Sequence, residues 1–300
     1  MEYIILDLEW DNVYFPPEKR FVNQILQIGA VKLDEDFNAV DTFEATIRSS
    51  VSKKVSNRFT KLTGITKEKM LSGIPLDTAV SEYNRFASGA DVTMTWSNTD
   101  IYTIIDNQKT LLKGQTKFIF KNYLDLQKLV QGEMQARGHD TKNQISLEAA
   151  AVLFGIDTAD FQLHTALDDS LLCAGLLRIC YNKKRFDSLL RDTTNPEFYA
   201  RLEFKAYPIT DITDKDIDKK SLIFSCPECQ SKTERLKKWK YRNRWFTANF
   251  KCNKCGYKFI GRVSFKKTFD SLQVKKRTTE IKKNDMQPVS EKVQCTTDGK

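Results

Sequence analysis

"EYIILDLEWDN", residues 2–12, decides how the first half of this chain is read. Tyr3 to Leu8 has the apolar character of a buried strand, yet Asp7 interrupts the run and Glu9 follows two places later. Strand side chains alternate between faces, so Asp7 and Glu9 project together, with Leu8 opposite. Two like charges so close repel, and a buried carboxylate is costly unless something answers it. Either a basic side chain or a cation must do so.

Working outward, "QILQIGAVKLD" and "TFEATIRS" read as the next two strands, being apolar or alternating and rich in β-branched residues. "PLDTAVSEYNRFAS" spaces Ala79, Val80, Tyr83 and Phe86 along one helical face. "DVTMTW" and "KFIF" read as short strands, and "DIYTIIDNQKTLL", "KNYLDLQKLVQGEM", "SLEAAAVLFGI" and "ALDDSLLCAGLLRICYNKKR" as helices. Three leading strands followed by alternating helices and strands imply an α/β domain with a mixed sheet. "RDTTNPEFYARLEFKAYPITDITDKDIDKK" (191–220) is polar and charged and reads as a linker. The stretch from residue 266 to 300 lacks apolar periodicity and reads as a basic, disordered tail.

The chain has 300 residues, a length that suits about two domains. Its charge of +9 is uneven: residues 1–190 hold 22 Lys and Arg against 25 Asp and Glu, whereas 221–300 hold 20 against 7. The basicity belongs to one end, as expected of a segment drawn to a polyanion. The apolar run at the N-terminus is too short to span a bilayer and has acidic rather than basic flanks. The expectation is a cytoplasmic protein without a membrane partner. The odd count of seven cysteines argues against a closed disulfide framework.

Other acids stand at the ends of buried elements. Asp100 follows "DVTMTW" and opens a helix, where it can be an N-cap or reach past the sheet edge. "FQLHTALDDS" places His164, Asp168 and Asp169 at the start of a later helix. The other histidine, His139, lies in loop-like "ARGHD". Asp106, more than a turn into its helix, reads as solvated.

Taken together, D-x-E at Asp7 and Glu9, Asp100 after Trp96, and H-x-A-x-x-D at His164, Ala166 and Asp169 resemble the DEDDh 3′→5′ exonucleases. "LTGIT" (62–66) and "GIP" (73–75) are similar to a loop of that family. The nearest branch is the KapD-like and histone-mRNA-exonuclease-like enzymes, and the likeness covers roughly residues 1–185. It implies a ribonuclease H-like mixed five-stranded sheet flanked by helices over residues 1–190. It also implies that Asp7, Glu9, Asp100 and Asp169 hold two Mg²⁺ or Mn²⁺ ions and that His164 is the general base. The H-x-A-x-x-D spacing selects Asp169 over Asp168. Residues beside the first acids contact the terminal nucleotide in this family, which makes Leu8 and Trp10 candidates. Trp10 can equally be a packed aromatic. Leu62, Thr63 and Ile65 are further candidates, with core packing as the alternative.

"CPEC" (226–229) and "CNKC" (252–255) are separated by 22 residues. Two knuckles bring Cys226, Cys229, Cys252 and Cys255 into a tetrahedron that suits one structural Zn²⁺, giving a small zinc ribbon over 221–265. Between them lies "KTERLKKWKYRNRWFTANFK", where Lys237, Lys238, Lys240, Arg242 and Arg244 interleave with Trp239, Tyr241, Trp245 and Phe246. Cations for phosphates and aromatics for bases suit a single strand, with Trp245 a stacking candidate. Some of these aromatics must cover the small core instead. Cys173 and Cys180 share a helix face and read as reduced core residues.

The leading expectation is thus a metal-dependent 3′→5′ exonuclease on single-stranded nucleic acid, RNA ahead of DNA. A proofreading or repair-type DNA exonuclease and a non-catalytic nucleic-acid-binding adaptor are the alternatives.

Overall fold

The structure, a computed structural model, describes residues 1–159 and 161–281. It divides into two compact units, Met1–Glu203 and one that begins at Phe204.

The first unit opens with β1 (Tyr3–Phe15), β2 (Arg20–Leu33) and β3 (Ala39–Thr46), then α1 (Asn57–Thr63), α2 (Lys67–Ser72) and α3 (Leu76–Phe86). It continues through β4 (Val92–Thr95), α4 (Asn98–Thr110), β5 (Asn122–Asp125), α5 (Leu126–Ala136) and α6 (Leu147–Leu153). It closes with α7 (Ala166–Cys180), α8 (Lys183–Leu189), β6 (Arg191–Asp192) and α9 (Pro196–Glu203). The sheet order is β3-β2-β1-β4-β5-β6. β1–β2 and β2–β3 are antiparallel, whereas β1–β4 and β4–β5 are parallel. This is the mixed, ribonuclease H-like sheet, with a two-residue sixth strand added where β6 pairs antiparallel with β5.

Alternation along β1 builds two cores. Tyr3 and Ile5 face Leu129, Cys173, Leu176 and Leu177 of α5 and α7, whereas Ile4, Leu6 and Leu8 face Val80, Tyr83, Ile101 and Ile104 of α3 and α4. Asp7 and Glu9 continue the first of these rows, so both carboxylates emerge on the α7 side.

Several local expectations are corrected. "KFIF" is not a strand; Phe118 and Phe120 are core residues, and the strand lies at β5, within the stretch read as helix. Asp125 explains the shift, because its side chain accepts from the Lys128 amide and starts α5 there. The last predicted helix breaks at Tyr181, since Asn182 caps a new one by accepting from Arg185 N. Asp106 is not merely solvated: Arg20 clasps both its oxygens at 2.7 and 3.1 Å.

The expected linker 191–220 instead contains β6, α9 and, in the second unit, β7 (Tyr207–Pro208). Its polar composition hides Phe198, buried against Tyr123. The second unit continues with β8 (Thr233–Arg235), β9 (Lys240–Arg242), β10 (Trp245–Cys252), β11 (Lys258–Lys267) and β12 (Leu272–Glu280), in the order β12-β11-β10-β8, with β9 also on β10. Asn243 and Arg244 join β9 to β10 with φ of 51° and 63°, the double left-handed geometry of a tight hairpin turn. Phe246, Phe250, Phe259, Val263 and Phe265 fill its core. Within the described residues, the stretch from 266 is therefore not a tail. β12 pairs with β11 from Leu272 to Glu280, and an edge strand exposed on both faces needs no apolar alternation to form. The rest of that expectation, residues 282–300, lies outside the described residues. Among the described residues no helix is long and apolar enough to cross a membrane.

Candidate active site

Asp7 and Glu9 sit opposite Gly29 and Gln27 in the β1–β2 ladder. The register shifts immediately after Glu9, because Trp10 pairs with Ile25 and Leu26 is left as an extra residue. Leu26 is fully buried with Phe59, Ile65 and Met70, which pins the bulge beside the acids. Asp11, two residues on, is an acid of another kind. It accepts from Ser56 N and Oγ at 2.8 and 2.9 Å and ties the hairpin to α1.

Asp100 occupies the first turn of α4 and is buried. Its two readings are separated by Ser97, which is the N-cap and accepts from Thr99 N. The Asp100 carboxylate is thereby released from capping and belongs to the acid group.

Helix α7 closes the group through a backbone contact. A Cβ on Gly29 would lie 2.2 Å from Ala166 C and Leu167 N, so only glycine admits α7 this close to β2. Ser170 Oγ donates to Gly29 O at 3.1 Å, and Gln27 Oε1 accepts from Ala166 N at 3.2 Å. Both fix the first turn of α7, which carries Asp169. His164 precedes it with φ of +66°, a left-handed conformation uncommon outside glycine. Asp168 faces away from this role: its carboxylate accepts from Gln162 N at 2.9 Å and holds the histidine loop. One ligand atom each from Glu9, His164 and Asp169 lie within 4.8 Å of one another.

The electrostatics join Asp7 and Asp100 to these three. Burial, then the charges of Asp100, Asp169 and Glu9, holds Asp7 well above the ordinary carboxylate value. Burial pushes Glu9 up to about 8, with Asp169 and Asp100 adding to it. Burial also raises Asp100 to about 7, against its own backbone amide and with help from Asp169. Asp169 is raised by burial, while the backbone and charge of His164 work the other way. No lysine or arginine pairs with any of the four among the described residues. Acids kept above their ordinary values and lacking a cationic side chain fit hard divalent cations with oxygen ligands.

The expected nucleotide contacts divide. Leu8 is 4% exposed in the α3–α4 core, and Ile65 is buried against Leu26. Thr63 is buried, donating to Phe59 O and accepting from Ile65 N. The side chains of these three are taken up in packing or local bonds: Leu8 on β1, Ile65 in the Leu26 cluster and Thr63 in the last turn of α1. Leu62 is 48% exposed, and Trp10 is half-buried against the core. Gln27, Gly29 and Asp168 are absent from the expected set. Gly29 alone left a signal, an isolated glycine inside a strand, which marks a close backbone approach.

In the second unit Cys226, Cys229, Cys252 and Cys255 converge, with sulfur separations of 3.5 and 3.6 Å. Tetrahedral thiolates at about 2.3 Å from zinc would be roughly 3.8 Å apart, so the cluster fits that ion. Gly256, at φ of +75°, closes the second knuckle by donating to Cys252 O. The amides of Cys255 and Lys254 point at Cys252 Sγ and lower its pKa, favouring the ionised ligand. Lys237, Lys238, Lys240, Arg242 and Arg244 are all exposed. Trp239 instead packs on Phe224 and Phe250, as the core alternative held, and Trp245 is half-buried at the surface.

An exonuclease family profile matches residues 6–177. The chain belongs to the exonuclease family. The match ends before the cysteine cluster, so the exonuclease assignment covers the first unit. Solved structures share its fold. Cell-death related nuclease 4 aligns at 19% identity and TM-score 0.50, covering 59% of this chain and 62% of that one. The nuclease domain of 3′hExo, a DEDDh family member bound to rAMP, aligns at 22% and 0.50, covering 59% and 90%. The 3′-exonuclease in the structure of histone mRNA stem-loop recognition aligns at 21% and 0.51, covering 59% and 80%. No curated protein matches the exonuclease chain significantly.

Proposed function

We propose that this exonuclease family member is a cytoplasmic, metal-dependent 3′→5′ exonuclease of single-stranded nucleic acid, RNA ahead of DNA. The observation that carries the reading is the acid nest: burial holds Asp7, Glu9, Asp100 and Asp169 above their ordinary values, and the charge of Asp169 adds to the shift of the first three. No cationic side chain pairs with any of them among the described residues. These four residues would hold two divalent cations, Mg²⁺ or Mn²⁺. Bound there, such ions supply the positive charge that neutralises the phosphodiester and the departing 3′ oxygen. His164 is exposed beside Glu9 and Asp169 and is the base that takes the proton of the attacking water. Leu62 and Trp10 are the remaining contacts for the terminal nucleotide. The zinc-bound cysteine unit holds the strand through Lys237, Lys238, Lys240, Arg242, Arg244 and Trp245. RNA is favoured by the resemblance to the histone-mRNA-exonuclease branch.

The test uses 5′-labelled RNA and DNA oligonucleotides with free or blocked 3′ ends, incubated with Mg²⁺, Mn²⁺ or EDTA. The expected result is a metal-dependent ladder from the free 3′ end, faster on RNA. Faster hydrolysis of DNA would overturn the substrate order. Binding without cleavage under every condition would make the chain an adaptor.

A further inference from the structure

The solvent face of the second unit's sheet carries a charge pattern that packing does not account for. β10 alternates buried and outward residues, and Trp245 and Thr247 point outward. Register carries that face across the strands: Arg242 lies opposite Trp245, Lys240 opposite Thr247, Thr247 opposite Arg262, and Arg262 opposite Arg277. Lys275 pairs with Ser264 one step along. The outward positions of β9 to β12 include no acid, and Lys240, Arg242, Arg262, Lys275 and Arg277 are exposed without an acidic partner among the described residues. The acids of the sheet lie off this row: Glu234 is opposite Lys251, and Glu280, at the end of β12, is opposite the core residue Phe259.

Two features of this face oppose folding. Arg262 and Arg277 are direct cross-strand neighbours of like charge, a pairing that destabilises a sheet. Lys240 stands in the same cross-strand row, two strands from Arg262, so three cations share a line about 14 Å long. Arg277 also reaches across β11 to lie 5.4 Å over the Trp245 ring. A guanidinium over an indole keeps its N–H donors in its own plane, open to a phosphate.

We propose that this sheet face, and not the β8–β9 loop alone, is the track for single-stranded nucleic acid, with Arg262, Lys275 and Arg277 as phosphate contacts. A polyanion relieves the repulsion between Arg262 and Arg277, and Trp245 offers the ring on which a base stacks. The proposal deepens the exonuclease reading, on which it rests for the identity of the strand.

The test measures anisotropy of a 3′-blocked, labelled single strand of roughly 12 nucleotides against the zinc-loaded full chain, without added magnesium or manganese. Replacing three cations (R262Q/K275Q/R277Q) is expected to reduce the slope of log affinity against log salt by about 2. The comparison variant K219Q/K220Q/K254Q removes the same charge elsewhere and is expected to bind like the parent. Equal weakening by both sets would overturn the proposal, because net charge alone would then explain binding. Displacement of the strand by polyglutamate of equal charge would also overturn it, assigning the face to an acidic protein. If the triple variant loses its zinc, the single variant R262Q carries the test. It is expected to bind about fivefold more weakly while melting at the same temperature or higher. A lower melting temperature with unchanged affinity would give Arg262 a structural role and sink the proposal. Dinucleotide cleavage by the parent chain separates the two readings. A parent that cleaves nothing would remove the exonuclease reading while the binding result stands.

Discussion

The two units carry opposite charge problems and solve them differently. In the first, like charges are drawn inside, where Asp7, Glu9, Asp100 and Asp169 are held by a sheet packed on both faces. In the second, like charges are spread over a flat surface above a small aromatic core fastened by four cysteines. A thick, two-sided core can position buried acids to within a side chain's reach. A thin unit can only display its cations on the surface. In both, residues that weaken the fold when left alone mark the surface where a counter-charge is expected.

Removing one acid should break the first half of this comparison most sharply. Asp169→Asn is expected to cut turnover of a labelled oligonucleotide by roughly 10³-fold or more, while the metal-free chain melts higher than the parent. Turnover within tenfold of the parent, or a lower metal-free melting temperature, would break the link between repulsion and function.

The second half is tested by the cysteines. Changing Cys226→Ser and Cys229→Ser together is expected to unfold the second unit, read by loss of near-ultraviolet signal from its tryptophans. Binding of long strands should fall by about tenfold or more, with dinucleotide cleavage retained. Equal losses on both substrates would mean that this unit supports the first one structurally.

Gly29→Ala sharpens the claim that one backbone contact places Asp169. With a Cβ 2.2 Å from the α7 backbone, the cost is expected to be about 1–3 kcal/mol, read by chemical denaturation, together with reduced turnover. Full activity in a stable variant would show that α7 can shift without disturbing the acids.

The smallest effect is on pH. Glu9 and Asp100 are raised from 4.5 and 3.8 to about 8 and about 7, so the folded state binds their protons more tightly than the unfolded chain. The stability they contribute is complete below pH 4 and is lost as pH rises toward 8. Metal-free protein should therefore melt lower at pH 8 than at pH 5 on their account. Added Mg²⁺ or Mn²⁺ should restore roughly 5–10 °C at pH 8 and little at pH 5.

How much of this was written in the sequence depends on distance along the chain. The strand with Asp7 and Glu9, and the order of Asp100, His164 and Asp169, are local signals repeated in the structure. So is the four-cysteine spacing. What escaped was set by partners far away in sequence. Asp106 looked solvated because Arg20, its partner, is 86 residues off. Thr63 and Ile65 looked available until the Leu26 bulge buried the loop between α1 and α2. β12 carries no pattern of its own, because β11 supplies its pairing. Asp168 and Asp169 differ only in which neighbour each faces, and spacing alone resolved them through a family likeness.

The approach of α7 over Gly29 has a consequence for biosynthesis. The first acids emerge from the ribosome at residues 7 and 9, but the nest lacks a wall until a helix ending at Cys180 folds back onto the second strand. A nascent chain short of that helix presents incomplete ligands and no histidine loop. The acid group is therefore incomplete until almost the whole first unit has been made, a delay built from one missing methyl group.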